Sequence, residues 1–385
     1  MTRTVYLDWN ATAPVSAEVA AAVSDAMTAA MMESGTGGNP SSIHGPGRKV
    51  RAAVEDAREA VASLAGAKPR EVIFTSGATE ANNMVLVGSG RETIIVSGIE
   101  HPSVLLVRDD VVRVPATLDG IVDLDRLAAA LEGTDGDALV AVMLANNETG
   151  VIQPIEEVVR LAREAGALIH CDAVQAAGRI EIDICALGVD TLSLSAHKIG
   201  GPTGVGALIV REGTPPIEPI LKGGGQERSR RAGTENVPGI IGFGVAAARA
   251  ADWRDEMAAI GALRDDMETR ITAAAPEAVI YGAGARRLAN TSSIGLPSVD
   301  CALQVMTLDL AGIAVSAGAA CSSGKVAPSH VLMAMGIDRW TADTAIRVSL
   351  GRTTDAADID AFVEAWTGMR NDAIARANAP LAGAA

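Results

Sequence analysis

Short β-branched runs alternate with helical patterns through the first two-thirds of the sequence, and few folds accommodate that order. Candidate strands are Glu71–Phe74, Thr93–Val96, Val111–Val114, Ala138–Leu144, Leu168–Cys171, Thr191–Ser195 and Gly206–Val210. Between them lie helices such as Pro46–Leu64, where Val50, Val54, Ala57, Val61 and Leu64 recur at spacings of four, three, four and three and so share one face. Strand and helix alternating in this way predict an α/β fold with a mainly parallel sheet flanked by helices. In such a fold the active site lies off the carboxyl ends of the strands. A long helical stretch from Val237 to Ala274 then breaks the alternation. It predicts a large domain over 14–255 and a smaller α+β domain built from 1–13 and 256–385. The Ala-rich end of the tail, NDAIARANAPLAGAA, has no pattern and is expected to fray.

With 385 residues, 48% of them hydrophobic, the chain can bury a substantial core without disulfides or metals. A net charge of −15 disfavours non-specific binding to nucleic acid or to an anionic membrane, although basic patches at Arg48–Arg51 and Arg228–Arg231 leave a specific contact open. The start, MTRTVYLDWN, carries no apolar signal segment and no apolar run approaches ~18 residues, so the expected location is cytoplasmic. The four cysteines, Cys171, Cys185, Cys301 and Cys321, lack CxxC or metal-like spacing and suit a reducing compartment. Three of them sit in apolar surroundings (LIHCD, IDICAL, VDCALQV) and read as structural.

Three segments at strand ends carry chemistry. In IFTSGATEANN a strand runs into Ser76-Gly77-Ala78-Thr79 and then a helix. Free backbone N–H groups and a Thr hydroxyl at a positive helix end form a natural phosphate seat. In LIHCDAVQAA, Asp172 ends an apolar strand, where a buried carboxylate needs a cationic partner. Period-two alternation puts His170 on the same face, which admits a metal pair, but no third ligand lies nearby and two are too few to close a zinc site. A pyridinium nitrogen suits Asp172 better, because an ionised Asp keeps such a ring protonated and the protonated ring draws electrons from a substrate's Cα. Gln175, about one turn further on, is placed to bond a ring hydroxyl. In TLSLSAHKIGGPTGVG a strand delivers Ser195, His197 and Lys198 together, before a glycine-rich loop. Ser and His beside a lysine can hold a phosphate dianion while the amine forms an imine.

With Asp172 and Lys198 in hand, the chain resembles the class V aminotransferase superfamily of pyridoxal-phosphate (PLP) enzymes, fold type I, and within it the cysteine desulfurases of the NifS/IscS kind. Matching motifs run nearly end to end, in family order: YLDWNATAP, GNPSSIHGPGR, FTSGATEANN, EHPSV, ANNETGVIQPI, HCDAVQAAGR, SLSAHKIGGPTGVGAL, GGGQERSRRAGTENVPG, SAGAACSSG, PSHVLMAMG and IRVSLGR. The resemblance implies that 14–255 is the PLP-binding domain and that the smaller domain carries a catalytic cysteine loop. It implies Lys198 as the Schiff-base lysine, Asp172 on the pyridine nitrogen and Gln175 on the ring oxygen. Ala78, Thr79, Ser195 and His197 would cradle the phosphate, with Ala196 and Asn147 also among the cofactor-binding residues. His101, in EHPSV, would stack on the ring and move protons; Pro102 suits a helix start just after it. Thr234, in AGTEN, is expected to reach the phosphate in the other subunit, which makes the site depend on a homodimer.

Asn147 and Arg347 resemble the family's substrate-carboxylate contacts, and a guanidinium fork grips a carboxylate bidentately. Cys321 lies in VSAGAACSSGKVAPSH, where Gly, Ala and Ser predict a mobile exposed loop. Its thiolate is the expected nucleophile. The stretch from Cys321 to His330 resembles the long-cysteine-loop branch. The implied reaction takes sulfur from L-cysteine onto Cys321 as a persulfide and releases alanine, with Lys198 removing the Cα proton and His101 helping to shuttle protons. Implied partners are L-cysteine, a second copy of the chain and a sulfur acceptor such as an iron–sulfur scaffold. No intrinsic metal is expected, Cys321 serving at most as a transient iron–sulfur ligand with the scaffold. The chain departs mildly from the commonest pattern, with Trp9 where Tyr is frequent and Ala317 and Ala319 where Ser is common. Rival readings are a selenocysteine lyase, a class V aminotransferase with no need of Cys321, and a catalytically idle partner in sulfur trafficking. Lys198, Asp172, Arg347 and Cys321 all being present speaks against the last.

Overall fold

The computed structural model describes residues 4–29, 38–318 and 328–378. In chain order its strands are β1 (Val5–Tyr6), β2 (Val72–Thr75), β3 (Thr93–Ser97), β4 (Val112–Val114), β5 (Ala138–Ala141), β6 (Leu168–Asp172), β7 (Thr191–Ser195), β8 (Gly206–Val210), β9 (Val279–Tyr281), β10 (Thr291–Gly295), β11 (Ile313–Ala314), β12 (Ser316–Ala317) and β13 (Ala345–Ser349). Seven of them form one sheet in the order β2-β8-β7-β6-β5-β3-β4. All run parallel except β8, which is antiparallel to both β2 and β7. Every residue of β6 and of β7 is buried, as befits central strands with helices on both faces, which read as continuous runs rather than alternations. A four-stranded antiparallel sheet follows, in the order β12-β13-β10-β9, while β1 pairs in parallel with β11.

The two sheets have separate hydrophobic cores. Phe74, Ile95, Val140, Ile169, Leu192 and Phe243 belong to the first. Leu7, Ile260, Ile294, Ile346, Phe362 and Trp366 belong to the second. Strands β7 and β8 fall on the residues that the sequence predicts. Strand β5 is shorter than its apolar run: it stops at Ala141, where its pairing with Val96 ends, and Met143 N–H turns to the Glu100 carboxylate at 2.7 Å. On its other side the run stays bonded to β6, through Val142 N–H to the His170 carbonyl at 3.1 Å and Leu144 N–H to the Asp172 carbonyl at 2.8 Å. The long helical stretch is two helices, Val237–Ala248 and Ala250–Ala274, which meet at Arg249. The final helix runs through Asn378, so much of the Ala-rich tail is ordered helix.

One buried ion pair fixes the approach to the large sheet. Arg58, on the helix Gly45–Leu64, donates from both guanidinium ends to Glu227 (2.7 and 2.9 Å) and lies over the Phe74 ring at 4.7 Å. Glu227 also accepts from Phe74 N–H at 3.1 Å. Glu227, Arg228 and Ser229 occupy the left-handed region, with φ of 47°, 59° and 64°, a conformation that persists only where surrounding contacts over-determine it. Glu227→Gln should therefore leave Arg58 with only the half-exposed Glu55, 3.2 Å from its Nε, as counter-charge and cost about 3 kcal/mol in urea unfolding. Adding Arg58→Met should recover part of that loss; strict additivity of the two substitutions would overturn the pairing as the cause.

Candidate active site

A cavity of about 820 Å³ opens off the carboxyl ends of β2, β6 and β7, where the sheet topology places a site. After β2 the chain turns at Ser76-Gly77 into the helix Ala78–Gly88, and no side chain caps that helix. Its first-turn N–H groups stand at the cavity wall with Ala78 and Thr79, a site suited to an anion. The antiparallel β8 starts beside this turn, and Gly206 is required there. A Cβ at Gly206 would lie 2.6 Å from the Leu194 carbonyl and 2.8 Å from the Gly77 backbone.

Asp172 closes β6. Its Oδ1 accepts from Val174 N–H at 3.0 Å and its Oδ2 from the Asn82 amide at 2.8 Å. These two bonds hold a buried carboxylate at the cavity edge, ready for a cationic partner. Strand β7 ends at Ser195, and the single turn Ala196–Ile199 carries His197 and Lys198. The Lys198 amine donates to the carbonyls of Asn10 and Ala11, the latter at 2.9 Å. Burial, followed by the positive charges of Arg347 and Arg179, pushes this amine down to about 7. A substantial fraction of it is thus unprotonated and available as a base and nucleophile at neutral pH. Burial, with Lys198 adding to it, likewise pushes His197 down to about 4, leaving it a neutral donor beside the helix end.

His101 caps the short helix Pro102–Leu105 with Nδ1, which accepts from Ser103 N–H at 3.1 Å. Desolvation of the ring lowers its pKa further than Asp172 raises it. The Gln175 amide donates to the Asn10 carbonyl at 3.1 Å, while its Oε1 accepts from Arg179. That contact fixes the amide so that its NH₂ end is the free donor. Arg347 arrives from β13 in the other sheet. It pairs with Asp8 at 2.8 Å and reaches the Asn147 carbonyl at 3.3 Å. Arg347 Nε and Asn147 Oδ1 are buried with no hydrogen-bond partner among the described residues, and both residues line the cavity.

Most of the residues singled out in the sequence thus meet around one cavity: Ala78, Thr79, His101, Asn147, Asp172, Gln175, Ser195, His197, Lys198 and Arg347. Ala196 is buried behind the wall and Thr234 is exposed away from the cavity of its own chain. Cys321 lies outside the described residues. The metal-pair reading of His170 and Asp172 fails on contacts, because Thr191 and Asn82 occupy both ring nitrogens of His170 at 2.9 Å. Cys171 and Cys301 are buried, and burial pushes the first thiol well up and the second to about 12. Cys185, by contrast, is exposed, since its neighbour Ile184 takes the inward face of the turn Ile184–Leu187. Sequence reasoning missed Asp8, Asn10, Asn82 and Arg179. Only Arg179 had a legible signal, four residues beyond Gln175.

The model of the class-V aminotransferase family matches residues 5–362, so the chain belongs to that family. It is 44% identical to a cysteine desulfurase of Cereibacter sphaeroides, over 94% of each chain. To the cysteine desulfurase NifS of Azotobacter vinelandii it is 42% identical, over 93% of this chain and 90% of that one. The solved structure of a NifS-like protein from Rickettsia africae superposes with a TM-score of 0.87 at 35% identity, covering 96% of this chain and all of the other. Within its family the chain stands with the cysteine desulfurases.

The depressed lysine has a direct test. In the PLP-free protein, competitive acetylation of Lys198 should rise through pH about 7 and level off above it, while exposed lysines keep rising toward pH ~10. A Lys198 midpoint near ~10 by peptide mass spectrometry would show that burial and the two arginines do not act on the amine.

Proposed function

We propose that the chain is a PLP-dependent cysteine desulfurase, converting L-cysteine to L-alanine and a Cys321 persulfide. The observation that carries this reading is the meeting of Asp172, Lys198 and the Arg347 guanidinium around one cavity, each from a different element. The residues fit PLP: a buried carboxylate for the ring nitrogen, an uncapped helix end with Ser195 and neutral His197 for the phosphate, and a depressed lysine. When bound, PLP supplies an electron sink for the bonds at the substrate's Cα.

The chain's own groups divide the remaining work. Arg347 and Asn147 orient the substrate carboxylate from the cavity wall, with the guanidinium already held in place by Asp8. Lys198, in its unprotonated form, accepts the Cα proton; His101, lining the same cavity, moves protons. Gln175, set by Arg179, donates to the ring oxygen. The Cys321 thiolate attacks the substrate sulfur, a sulfur–sulfur bond forms as the Cβ–S bond breaks, and the three-carbon fragment takes up a proton at Cβ, regains the Cα proton from Lys198 and leaves as alanine.

The same reading includes a homodimer in which Thr234 completes the partner's phosphate site, supported by its exposure and its place in AGTEN. It includes a sulfur acceptor such as an iron–sulfur scaffold, a cytoplasmic location, and a division into 14–255 and 1–13 with 256–385. The last is supported by Leu7 joining the second hydrophobic core. No helix among the described residues is long and apolar enough to cross a membrane.

Cys321→Ser should retain PLP and its visible absorption yet lose alanine and sulfide production under multiple turnover. In the parent protein, L-cysteine without reductant should add one sulfur to the peptide carrying Cys321. Alanine formation at the parent rate by Cys321→Ser would sink the mechanism and favour an aminotransferase or lyase. Arg347→Ala should weaken L-cysteine binding by about 1.5–3 kcal/mol, read as KM, with the cofactor band unaltered. An unchanged KM would remove Arg347 from the substrate site.

A further inference from the structure

His170 is fully buried on β6, two residues before Asp172, and takes no part in the chemistry above. Its contacts have only one consistent donor and acceptor arrangement. The Asn82 amide nitrogen lies 2.8 Å from Asp172 Oδ2 and 2.9 Å from Ser103 Oγ. A carboxylate only accepts, so the NH₂ end of Asn82 must face it, and both amide hydrogens are then committed. Asn82 Oδ1 therefore faces His170 Nε2, at 2.9 Å, and that nitrogen must carry the proton. Thr191 Oγ1, 2.9 Å from His170 Nδ1, supplies the matching hydroxyl donor. On the far side Ser103 Oγ accepts from Asn82 and lies 2.9 Å from His101 Nδ1, which accepts from Ser103 N–H at 3.1 Å, so Nε2 is the protonated nitrogen of His101.

We propose that His170 and Asn82 are positioning residues for the cofactor, one amide orienting the Asp172 carboxylate and, through the Ser103 hydroxyl, steadying the His101 ring. The inference rests on the PLP reading. The chain of contacts runs Thr191–His170–Asn82 and then forks, to Asp172 and to Ser103–His101. Asn82 and His170 are 0% exposed, so water cannot replace either bond if its partner is removed. Without the His170 donor, Asn82 loses the contact that decides which of its ends faces Asp172. With its oxygen toward the carboxylate, it would repel the group it now holds. Asp172 would then keep only the Val174 N–H bond.

The test uses the full-length protein, freed of PLP and titrated with it, with two readouts: the PLP dissociation constant, and nitrogen NMR of ring-nitrogen-labelled PLP in the reloaded protein. A parent chain that binds no PLP overturns the cofactor reading before any variant is made. His170→Phe, which keeps a ring and removes both nitrogens, should weaken PLP binding by about tenfold and move the ring-nitrogen signal toward neutral pyridine. His170→Gln, which restores an N–H donor, should return both readouts to within about threefold of the parent. Leu192→Ala, on the neighbouring strand, lowers stability by core loss and should move neither. Should His170→Phe fail to fold, Asn82→Ser removes the bridging amide and carries the same expectations. Parent-like readouts in these variants, or an equal change in Leu192→Ala, would reduce His170 to a packing residue.

Discussion

Lys198 carries its amine into a cavity lined also by Arg347, and the Arg179 guanidinium is buried behind it. Burial of Arg179, with Arg347 adding to it, pushes that guanidinium down to about 9. Three cations this close cannot all stay protonated cheaply, and the lysine is the one whose proton is easiest to lose. The arginines remain charged, one turned to the substrate side and one to Gln175. The amine between them rests on backbone carbonyls. Acid–base function at neutral pH thus follows from where charge is packed, and the carboxylates of Asp8 and Asp172 only temper it.

The packing depends on sheet order. Because β8 lies between β2 and β7, the phosphate-seat turn after β2 and the Lys198 turn after β7 flank the start of an antiparallel strand, and Gly206 lets them close in. Strand β6 lies next to β7 and brings Asp172 to the same edge. The segments after β3 and β5 supply His101 and Asn147 from the next positions across.

Much of this was legible in the sequence, for a physical reason. Residues at the end of an apolar strand must be either turn formers or functional groups, so Asp172 after LIHC and Lys198 after TLSLSAH stood out without any contact information. Strands β7 and β8 were read to the residue because Thr and Gly bound their apolar runs. Contacts between distant segments were not legible. Nothing local in YLDWN says that Asp8 will meet Arg347, 339 positions away. Nothing in ATEANN says which asparagine turns inward to bridge Asp172 and His170. The exposed Cys185 was misread because an apolar neighbourhood in sequence says little within one helical turn, where adjacent residues point about 100° apart.

The segment 8–12 is where the two sheets become one site. Asp8 accepts from Ser316 Oγ at 2.7 Å and pairs with Arg347, while Asn10 donates to Thr291 Oγ1 at 3.0 Å and to the Asn147 carbonyl at 3.1 Å. The Asn10 carbonyl faces the other way and accepts from both Lys198 and Gln175, and Arg179 reaches the Trp9 carbonyl. Five consecutive residues thus hold the substrate arginine on one side and the lysine on the other. A substrate carboxylate that binds Arg347 competes with Asp8, and Asp8 is one of the charges that keeps a proton on Lys198. Weakening that carboxylate's hold on its own arginine frees its charge to act on the amine, and the incoming carboxylate offsets Arg347, which depresses the amine, so both effects act in the same sense. Binding therefore shifts the amine toward retaining its proton, and the structure sets against this the buried Arg179, a cation that no substrate reaches and that keeps the amine depressed throughout.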